Sequence, residues 1–215
     1  CIPEVMVLPI EEKNSINLET YDVVAIGPGL GRTAESKELV NTILEQQVGH
    51  MVIDADGLYA LGTIGHVYTH EDKSITYEAD MLFKDCIMTP HLGEFSRLID
   101  KCISYIEKHY VELAIQFATA HNVVLVLKGI PSLVAFPTGE IYINSGMGTG
   151  GMGDSLTGII TSFVAQGYSL QSSALLGVYV HSRSADILCE EKPWGYTPSD
   201  VSRNVGVVLQ ELLKG

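Results

Sequence analysis

The sequence predicts an α/β fold in which helices cover both faces of a mostly parallel central sheet. Short β-branched runs alternate along the chain with segments of helical periodicity, the pattern of repeated strand–helix units. The 215 residues suffice for one sizeable hydrophobic core and are too few for two. We therefore expect residues 1–215 to form a single domain.

Three short apolar runs in the first half of the chain are predicted strands, at residues 23–26, 51–54 and 86–89. A helix is predicted over residues 33–47, with Thr33 as its N-cap, because its apolar residues recur along one stripe. A second, short helix carrying Phe95, Leu98 and Ile99 is predicted after Pro90.

The next helix is expected to begin at a capping box, because Ser104 and Glu107 have the required spacing. Its predicted apolar face includes Ile106, Val111 and Phe117.

The second half predicts a buried strand at residues 123–127 and a hairpin at residues 132–144, which gives the sheet an antiparallel edge. A helix is predicted to start at Asp154 and to stop near Gly167. Two more helices are predicted at residues 174–188 and 198–213, the last with Pro198 at its first position.

Polar and glycine-rich clusters follow the predicted strands. They read GPGLG, DADG, TPHLGE, KGIPS and GMGTGGMGD. Ligands of open α/β sheets bind outside the carboxyl ends of the strands. The sequence therefore predicts that the five clusters meet at one edge of the sheet and form a site there.

The glycine-rich cluster before Asp154 predicts a phosphate site. Five of the eight residues before Asp154 are glycine, more than one turn requires. Bare amides at the start of a helix bind anions with help from the helix dipole. We expect amides of Gly150, Gly151 and Gly153 to hold a phosphate chain, with Lys128 adding a local positive charge.

Asp154 could act either as a helix cap or as a catalytic base. A carboxylate at a helix start is often a cap that contributes roughly 0.5–2 kcal/mol. Beside phosphate-binding amides, however, it would repel the ligand, which favours a use in taking a proton from a substrate hydroxyl. The pattern matches neither a P-loop nor a dinucleotide-binding fingerprint, so phosphoryl transfer to a hydroxyl is the predicted reaction.

Charge and cysteine usage limit the partners and the location. The formal net charge of −13 opposes binding to nucleic acid or to an acidic membrane surface. The four cysteines are far apart in the sequence, which favours a reducing compartment. With no apolar run long enough for a membrane helix and no leader pattern, we expect a cytoplasmic protein.

In this order, the clusters resemble those of the NAD(P)H-hydrate dehydratase family, a branch of the ribokinase-like fold, over almost the whole chain. The resemblance implies that Asp154 is the catalytic base and also contacts the substrate. Substrate-binding residues implied beside Asp154 are Gly29, Gly31, His91 and Glu94. Nucleotide-binding residues implied are Lys128, Gly129, Ile130, Pro131, Ser132, Asn144, Thr149, Gly150, Gly151 and Gly153. No protein ligand for a metal is implied.

The implied reaction is the nucleotide-dependent dehydration of NADH or NADPH hydrate, through phosphorylation of the ring hydroxyl and elimination of phosphate. The TGGxGD form is similar to that of relatives that use ADP rather than ATP, and Mg²⁺ is the implied cofactor. The resemblance also implies a homo-oligomer and a functional link to an NAD(P)H-hydrate epimerase. Members of the family carry further strand–helix units ahead of the segment that matches residues 3–6, so we expect this domain to lack them.

Other functions remain open from the residues alone. A ribokinase-like small-molecule kinase acting on a hydroxymethyl pyrimidine or thiazole would use the same aspartate and anion site. A nucleotide-binding module without catalysis is a third alternative. His181, inside an apolar helix, is expected to be a satisfied core histidine. Asp54 and Asp56 could organise magnesium or water, or simply form a turn.

Overall fold

The computed structural model describes residues 17–46, 49–72, 74–81, 83–146, 152–191 and 194–214. The strands are β1 (Val23–Ile26), β2 (His50–Ile53), β3 (Gly65–Thr69), β4 (Ile75–Ala79), β5 (Cys86–Met88), β6 (Val124–Leu127), β7 (Ser132–Ala135) and β8 (Ile141–Asn144). The helices are α1 (Ala34–Glu45), α2 (Ala55–Leu61), α3 (Leu92–Leu98), α4 (Ile103–Lys108), α5 (Tyr110–His121), α6 (Gly153–Ala165), α7 (Leu170–Glu191) and α8 (Pro198–Lys214).

Six strands form the central sheet, in the order β1-β2-β5-β6-β7-β8. The first four run parallel, whereas β7 and β8 add an antiparallel edge. Strands joined by crossover helices must run parallel, and the tight turn around Pro137–Gly139 forces β7 and β8 to run antiparallel. The predicted α/β architecture and the hairpin in the C-terminal half are confirmed.

Helices cover both faces of this sheet because consecutive strand residues are apolar and point to opposite sides. In β2, Ile53 belongs to the core that α1–α5 cover, and Val52 belongs to the core under α6 and α7. The same alternation continues through Ile87 and Met88 in β5. Apolar side chains therefore fill both faces of the sheet, and polar side chains lie at the carboxyl ends of the strands.

A second, two-stranded sheet was not predicted. Strands β3 and β4 form an antiparallel hairpin that packs beside α5. The side-chain amide of Gln116 donates to the Ile75 carbonyl at 3.0 Å, and the Tyr77 hydroxyl lies 2.6 Å from His121 Nε2. The sequence signal was the period-two alternation of polar and apolar residues across residues 65–79.

The predicted capping box at Ser104 is wrong. The N-cap of α4 lies two residues earlier, at Cys102, whose side chain makes no capping hydrogen bond. The chain leaves helical geometry at His109, where φ is −121° and ψ is 27°, and α5 starts afresh. This break shifts the phase of the apolar stripe, which leaves Val111 exposed and buries Leu113.

Helix α7 is longer than the predicted 174–188, since it runs from Leu170 to Glu191, but several other predicted boundaries hold. The Thr33 hydroxyl accepts from the amide of Ser36 as an N-cap, and Pro198 opens α8. Gly167 has the positive φ of +86° expected after a helix end. Within the described ranges, every helix is too short or too polar to span a lipid bilayer.

The turn after β1 requires glycine at residue 27. Gly27 has a φ of +128°, and a Cβ placed there would lie 1.7 Å from the Asp54 carbonyl oxygen. The close approach of the β1 turn to the end of β2 therefore depends on the missing side chain.

We predict that Gly27→Ala lowers the free energy of unfolding by more than about 3 kcal/mol, because the clash adds to the strain of positive φ. Gly62→Ala is the matched control, since Gly62 also has positive φ (+72°) but open space around it. It should cost only about 1 kcal/mol. Urea unfolding of both variants measures the difference, and equal losses would contradict the close approach.

Candidate active site

The carboxyl ends of β2, β5 and β6 bring the predicted clusters together. Asp54 follows β2, His91 lies just beyond β5, and Lys128 directly follows β6. His91 and Lys128 pair as an isolated parallel bridge, and the Lys128 amide donates to the Pro90 carbonyl at 2.8 Å. The prediction that these clusters converge on one edge of the sheet is confirmed.

A buried ionic group lies at the centre of this edge. The Lys128 ammonium donates to Asp54 Oδ1 at 2.6 Å, and the Thr157 hydroxyl donates to Asp54 Oδ2 at 2.6 Å. Asp54 is 1% exposed and Thr157 2%. Charge-assisted hydrogen bonds therefore satisfy both carboxylate oxygens, which a buried carboxylate requires.

The Lys128 ammonium contacts two carboxylates, which the sequence did not predict. Besides Asp54, its ammonium lies 3.9 Å from Glu94 Oε2, and its side chain is 19% exposed. The formal charge of these three side chains sums to −1. Lys128 therefore links the ends of β2 and β6 and the start of α3, and its charge is not available to a phosphate alone.

Helix α6 begins against this ionic group. A Cβ on Gly153 would lie 3.2 Å from Lys128 Nζ and 3.8 Å from Asp54 Oδ2. A side chain at this position would crowd the ammonium, so glycine lets the helix start close to it. The N-cap residue, Met152, makes no side-chain capping hydrogen bond. A thioether cannot replace the usual cap, so no side chain among the described residues caps the first amides of α6, and amides in this position suit an anionic ligand.

Asp154 is not the cap of α6. It is the second residue of the helix, after Met152 and Gly153. Its side chain is exposed and forms no hydrogen bond or ion pair within the part of the chain that the structure describes. A carboxylate in the first turn gains from the helix dipole, and this one remains free to accept a proton.

A cavity of about 230 Å³ opens beside the start of α6. Six of the predicted nucleotide-binding residues line it: Lys128, Gly129, Ile130, Ser132, Asn144 and Gly153. Leu156 and Val178 give it an apolar wall. Thr149, Gly150 and Gly151 lie outside the described residues. The cavity thus joins an apolar surface to the open amides of a helix start.

Polar groups of this cavity also hold its own walls. The Ser132 hydroxyl donates to the Gly129 carbonyl at 2.9 Å, which fixes the turn after β6. Asn144 donates to the Ser182 hydroxyl at 3.1 Å and so ties β8 to α7. Pro131 lies outside the lining, and its carbonyl accepts from the Tyr110 hydroxyl at 3.2 Å.

His181 is a residue that sequence reasoning misjudged. It is 7% exposed and lines the cavity, but its Nε2 atom has no hydrogen-bond partner among the described residues. Burial lowers the pKa of His181, and a hydrogen bond with the backbone of Met152 opposes that effect. The expectation of a satisfied core histidine is wrong, because the ring is bonded on one side only. The neutral ring thus presents a bare acceptor to the cavity.

The predicted substrate side lies beyond Lys128. His91 Nδ1 accepts from the amide of Gly93 at 2.9 Å, and Glu94 Oε2 accepts from the amide of His91 at 2.8 Å. The two side chains thus form the capping box of α3. The Gly31 amide donates to Asp56 Oδ2 at 3.0 Å, and Gly31 lines a second cavity. A Cβ on Gly29 would meet open space.

The donor set fits a magnesium ion that arrives with a nucleotide. Within the described ranges, no three His, Cys, Asp or Glu side chains stand together as a metal site. Magnesium usually needs only one or two carboxylates together with substrate phosphates. Among the described residues, the Asp154 carboxylate has no partner, whereas both oxygens of Asp54 are engaged and both oxygens of Glu94 contact His91.

Comparison with known proteins identifies the family of the chain. The sequence model of the NAD(P)H-hydrate dehydratase family matches residues 1–206. The chain is 34% identical to the bifunctional NAD(P)H-hydrate repair enzyme Nnr of Dictyoglomus turgidum, over 99% of this chain and 42% of that protein. It is 29% identical to the ADP-dependent (S)-NAD(P)H-hydrate dehydratase of Bacillus subtilis, over 80% of this chain and 58% of that protein. The chain thus spans about half the length of these relatives.

A solved structure is similar as well. It is the ADP/ATP-dependent NAD(P)H-hydrate dehydratase of B. subtilis, co-crystallised with ATP and Mg²⁺ and soaked with CoA. The TM-score is 0.74 at 26% identity, with 93% of this chain and 69% of that chain covered.

The fold is that of a ribokinase-like protein, with a cavity at the carboxyl edge of its sheet. The chain belongs to the NAD(P)H-hydrate dehydratase family. The resemblance drawn from the motifs is therefore confirmed.

We predict that Asp54→Asn lowers the free energy of unfolding by about 3 kcal/mol, because it leaves the Lys128 ammonium without its main partner. Thr157→Val keeps the ion pair and removes one donor, so it should cost about 1.5 kcal/mol. Asp56→Asn is the control, because it removes the charge partner of the exposed Arg32 while its amide oxygen can still accept from Gly31, and it should cost less than about 1 kcal/mol. Urea unfolding at pH 7 measures all three, and equal losses at Asp54 and Asp56 would contradict the central role of Asp54.

Proposed function

We propose that the protein restores NADH or NADPH from its hydrate at the expense of a nucleotide, with ADP as the phosphoryl donor in preference to ATP. The observation that carries the proposal is the exposed Asp154 carboxylate, which has no partner among the described residues and lies one residue beyond the glycine at the Lys128–Asp54 pair. Membership of the dehydratase family supports the substrate, and the name of the B. subtilis relative supports ADP.

In the proposed mechanism, Asp154 accepts the proton of the ring hydroxyl while that oxygen attacks the terminal phosphorus of the nucleotide. The new O–P bond replaces the bond to the nucleotide, which leaves as the shortened phosphate. The lone pair of the ring nitrogen then expels inorganic phosphate as the ring C–O bond breaks. Loss of a proton from the neighbouring ring carbon restores the dihydropyridine.

The residues of the chain supply position and charge for these steps. The open amides at the start of α6 hold the phosphates, together with Thr149, Gly150 and Gly151 of the preceding segment. Gly129, Ile130, Pro131, Ser132 and Asn144 shape the nucleotide side, and Gly29, Gly31, His91 and Glu94 the hydrate side. A magnesium ion bound with the nucleotide would neutralise charge on the transferring phosphoryl group.

Three further assignments belong to this proposal. A homo-oligomer is proposed because of the resemblance to the family. A cytoplasmic location is proposed because Cys86, Cys102 and Cys189 are free thiols, as in a reducing compartment. A functional link to an NAD(P)H-hydrate epimerase is supported by the bifunctional name of the D. turgidum relative.

The direct test incubates the purified protein with NADPH hydrate, Mg²⁺ and either ADP or ATP. The proposal predicts growing NADPH fluorescence, one inorganic phosphate per NADPH, and faster turnover with ADP. A small-molecule kinase would instead release a stable phosphorylated alcohol from a hydroxymethyl pyrimidine or thiazole. Nucleotide binding without turnover of either substrate would indicate a module without catalysis.

We predict that Asp154→Asn lowers kcat by about 10²- to 10⁴-fold, the usual contribution of a positioned general base. The melting temperature and the Kd for ADP should stay near their wild-type values, since the carboxylate is exposed and contacts none of the described residues. Glu112→Gln, in the first turn of α5, is the matched control and should leave kcat unchanged. Turnover of Asp154→Asn within a few-fold of wild type would exclude Asp154 as the base.

We also predict that His181 Nε2 accepts a hydrogen bond from the nucleotide, from a ribose hydroxyl or the amino group of the base. His181→Asn keeps a donor for the Met152 backbone but loses the Nε2 acceptor, so the Kd for ADP should rise about 3- to 10-fold. The melting temperature without ADP should not fall.

His181→Gln is the matched variant, because its amide oxygen reaches the position of Nε2. It should restore part of the affinity for ADP. Calorimetric titration measures both variants, and an unchanged Kd for His181→Asn would place the ring outside the nucleotide site.

A further inference from the structure

A second cavity, of about 390 Å³, lies between the start of α1, helix α2 and the end of α3. The side chains that give it its chemistry are Arg32, Lys37, Asp56, Tyr59 and Arg97. Gly31, a predicted substrate residue, lines its edge. These five side chains take no part in the reaction proposed above.

The cavity is positively charged in a strongly acidic protein. Three of the 13 Lys and Arg residues of the chain line it, against one carboxylate. Arg32 pairs with that carboxylate, since its Nε lies 2.8 Å from Asp56 Oδ1. Lys37 and Arg97 have no ion-pair partner within the part of the chain that the structure describes. The lining therefore carries a formal surplus of two positive charges.

One aromatic ring holds two of the cations. The guanidinium carbons of Arg32 and Arg97 lie 4.6 and 4.3 Å from the ring centroid of Tyr59. Stacking of this kind fixes the planes of both guanidinium groups and leaves their N–H edges free to bind. Two like charges on one ring repel each other, and an anion between them would remove that repulsion.

The same elements carry the active site. Helix α2 starts directly after Asp54, and Asp56 in its first turn accepts from the amide of Gly31. Helix α3 starts at the capping box of His91 and Glu94 and carries Arg97 in its last turn. A substrate that lies along the predicted residues Gly31 and Glu94 would therefore extend towards this cavity.

We propose that this cavity binds phosphate groups of the dinucleotide substrate. The proposal rests on the proposed function, which supplies a substrate with a diphosphate bridge and, in NADPH hydrate, a 2′-phosphate as well. Paired guanidinium groups bind phosphate oxygens through two N–H groups each, and an ammonium adds a point charge. Phosphate is thus the shared chemistry of the two possible ligand groups.

The test uses the double variant Lys37→Gln/Arg97→Gln, in which both uncompensated cations become neutral. Its KM for NADPH hydrate should rise about tenfold or more, whereas kcat and the KM for ADP stay within twofold. Arg203→Gln is the control for net charge, because Arg203 lies on α8 and contacts Asp200 there. It should leave every constant unchanged.

Comparison of the two substrates identifies the phosphate that binds. An equal rise in KM for NADH hydrate and NADPH hydrate assigns the cavity to the diphosphate bridge. A rise for NADPH hydrate alone assigns it to the 2′-phosphate. An unchanged KM for both substrates would overturn the proposal. Arg32 and Arg97 would then stack on Tyr59 without binding a ligand.

Direct titration separates this proposal from the function on which it rests. If the wild-type protein fails to turn over either hydrate, the proposed function fails. NADPH is then titrated against the wild type and the double variant at two salt concentrations. Binding that is weakened about tenfold in the variant, with a shallower salt dependence, would keep the phosphate site. Equal binding by both would overturn it.

Discussion

The buried contact of Asp54 with Lys128 and Thr157 is the constraint on which the rest of the site depends. It joins the end of β2, the end of β6 and the second turn of α6, three segments far apart in the sequence. A carboxylate that is 1% exposed requires these partners, because an unpaired buried charge is strongly destabilising. The position of α6, and with it that of Asp154, follows from this electrostatic requirement.

The arrangement separates two carboxylates by role. Asp54 is buried and has both oxygens engaged, whereas Asp154, one residue beyond Gly153, is exposed and has no partner in the part of the chain that the structure describes. Glycine at residue 153 makes the arrangement possible, because a side chain would crowd the Lys128 ammonium. A free base can thus lie close to a buried ion pair without being drawn into it.

The sequence predicted the parts of the fold that local patterns determine. The strand at residues 23–26, the N-cap at Thr33 and the edge hairpin could be read because each depends on neighbouring residues. The Asp54–Thr157 contact, between residues 103 apart, leaves no such local pattern. The lack of a described partner for His181 Nε2 also depends on how distant segments pack, so no local pattern predicts it. The β3–β4 hairpin did have a local signal, the alternation over residues 65–79.

The same distinction between local patterns and long-range contacts applies to the site residues. Residue types in the motifs predicted which segments meet, and the structure brought Lys128, His91, Glu94 and Gly153 to one edge of the sheet. Their partners could not be predicted, because a motif does not show whether a side chain binds a ligand or another side chain. Lys128 illustrates this, since its ammonium faces Asp54 and Glu94.

The central claim is that this site transfers a phosphoryl group to a substrate hydroxyl, with Asp154 taking the proton. The most direct measurement follows the oxygen atom, with NADPH hydrate that carries ¹⁸O in its ring hydroxyl, Mg²⁺ and ADP in unlabelled water. The account predicts that the released inorganic phosphate contains one ¹⁸O atom, because the hydroxyl oxygen leaves the ring bonded to phosphorus. Label that appears in water, with unlabelled phosphate, would contradict it.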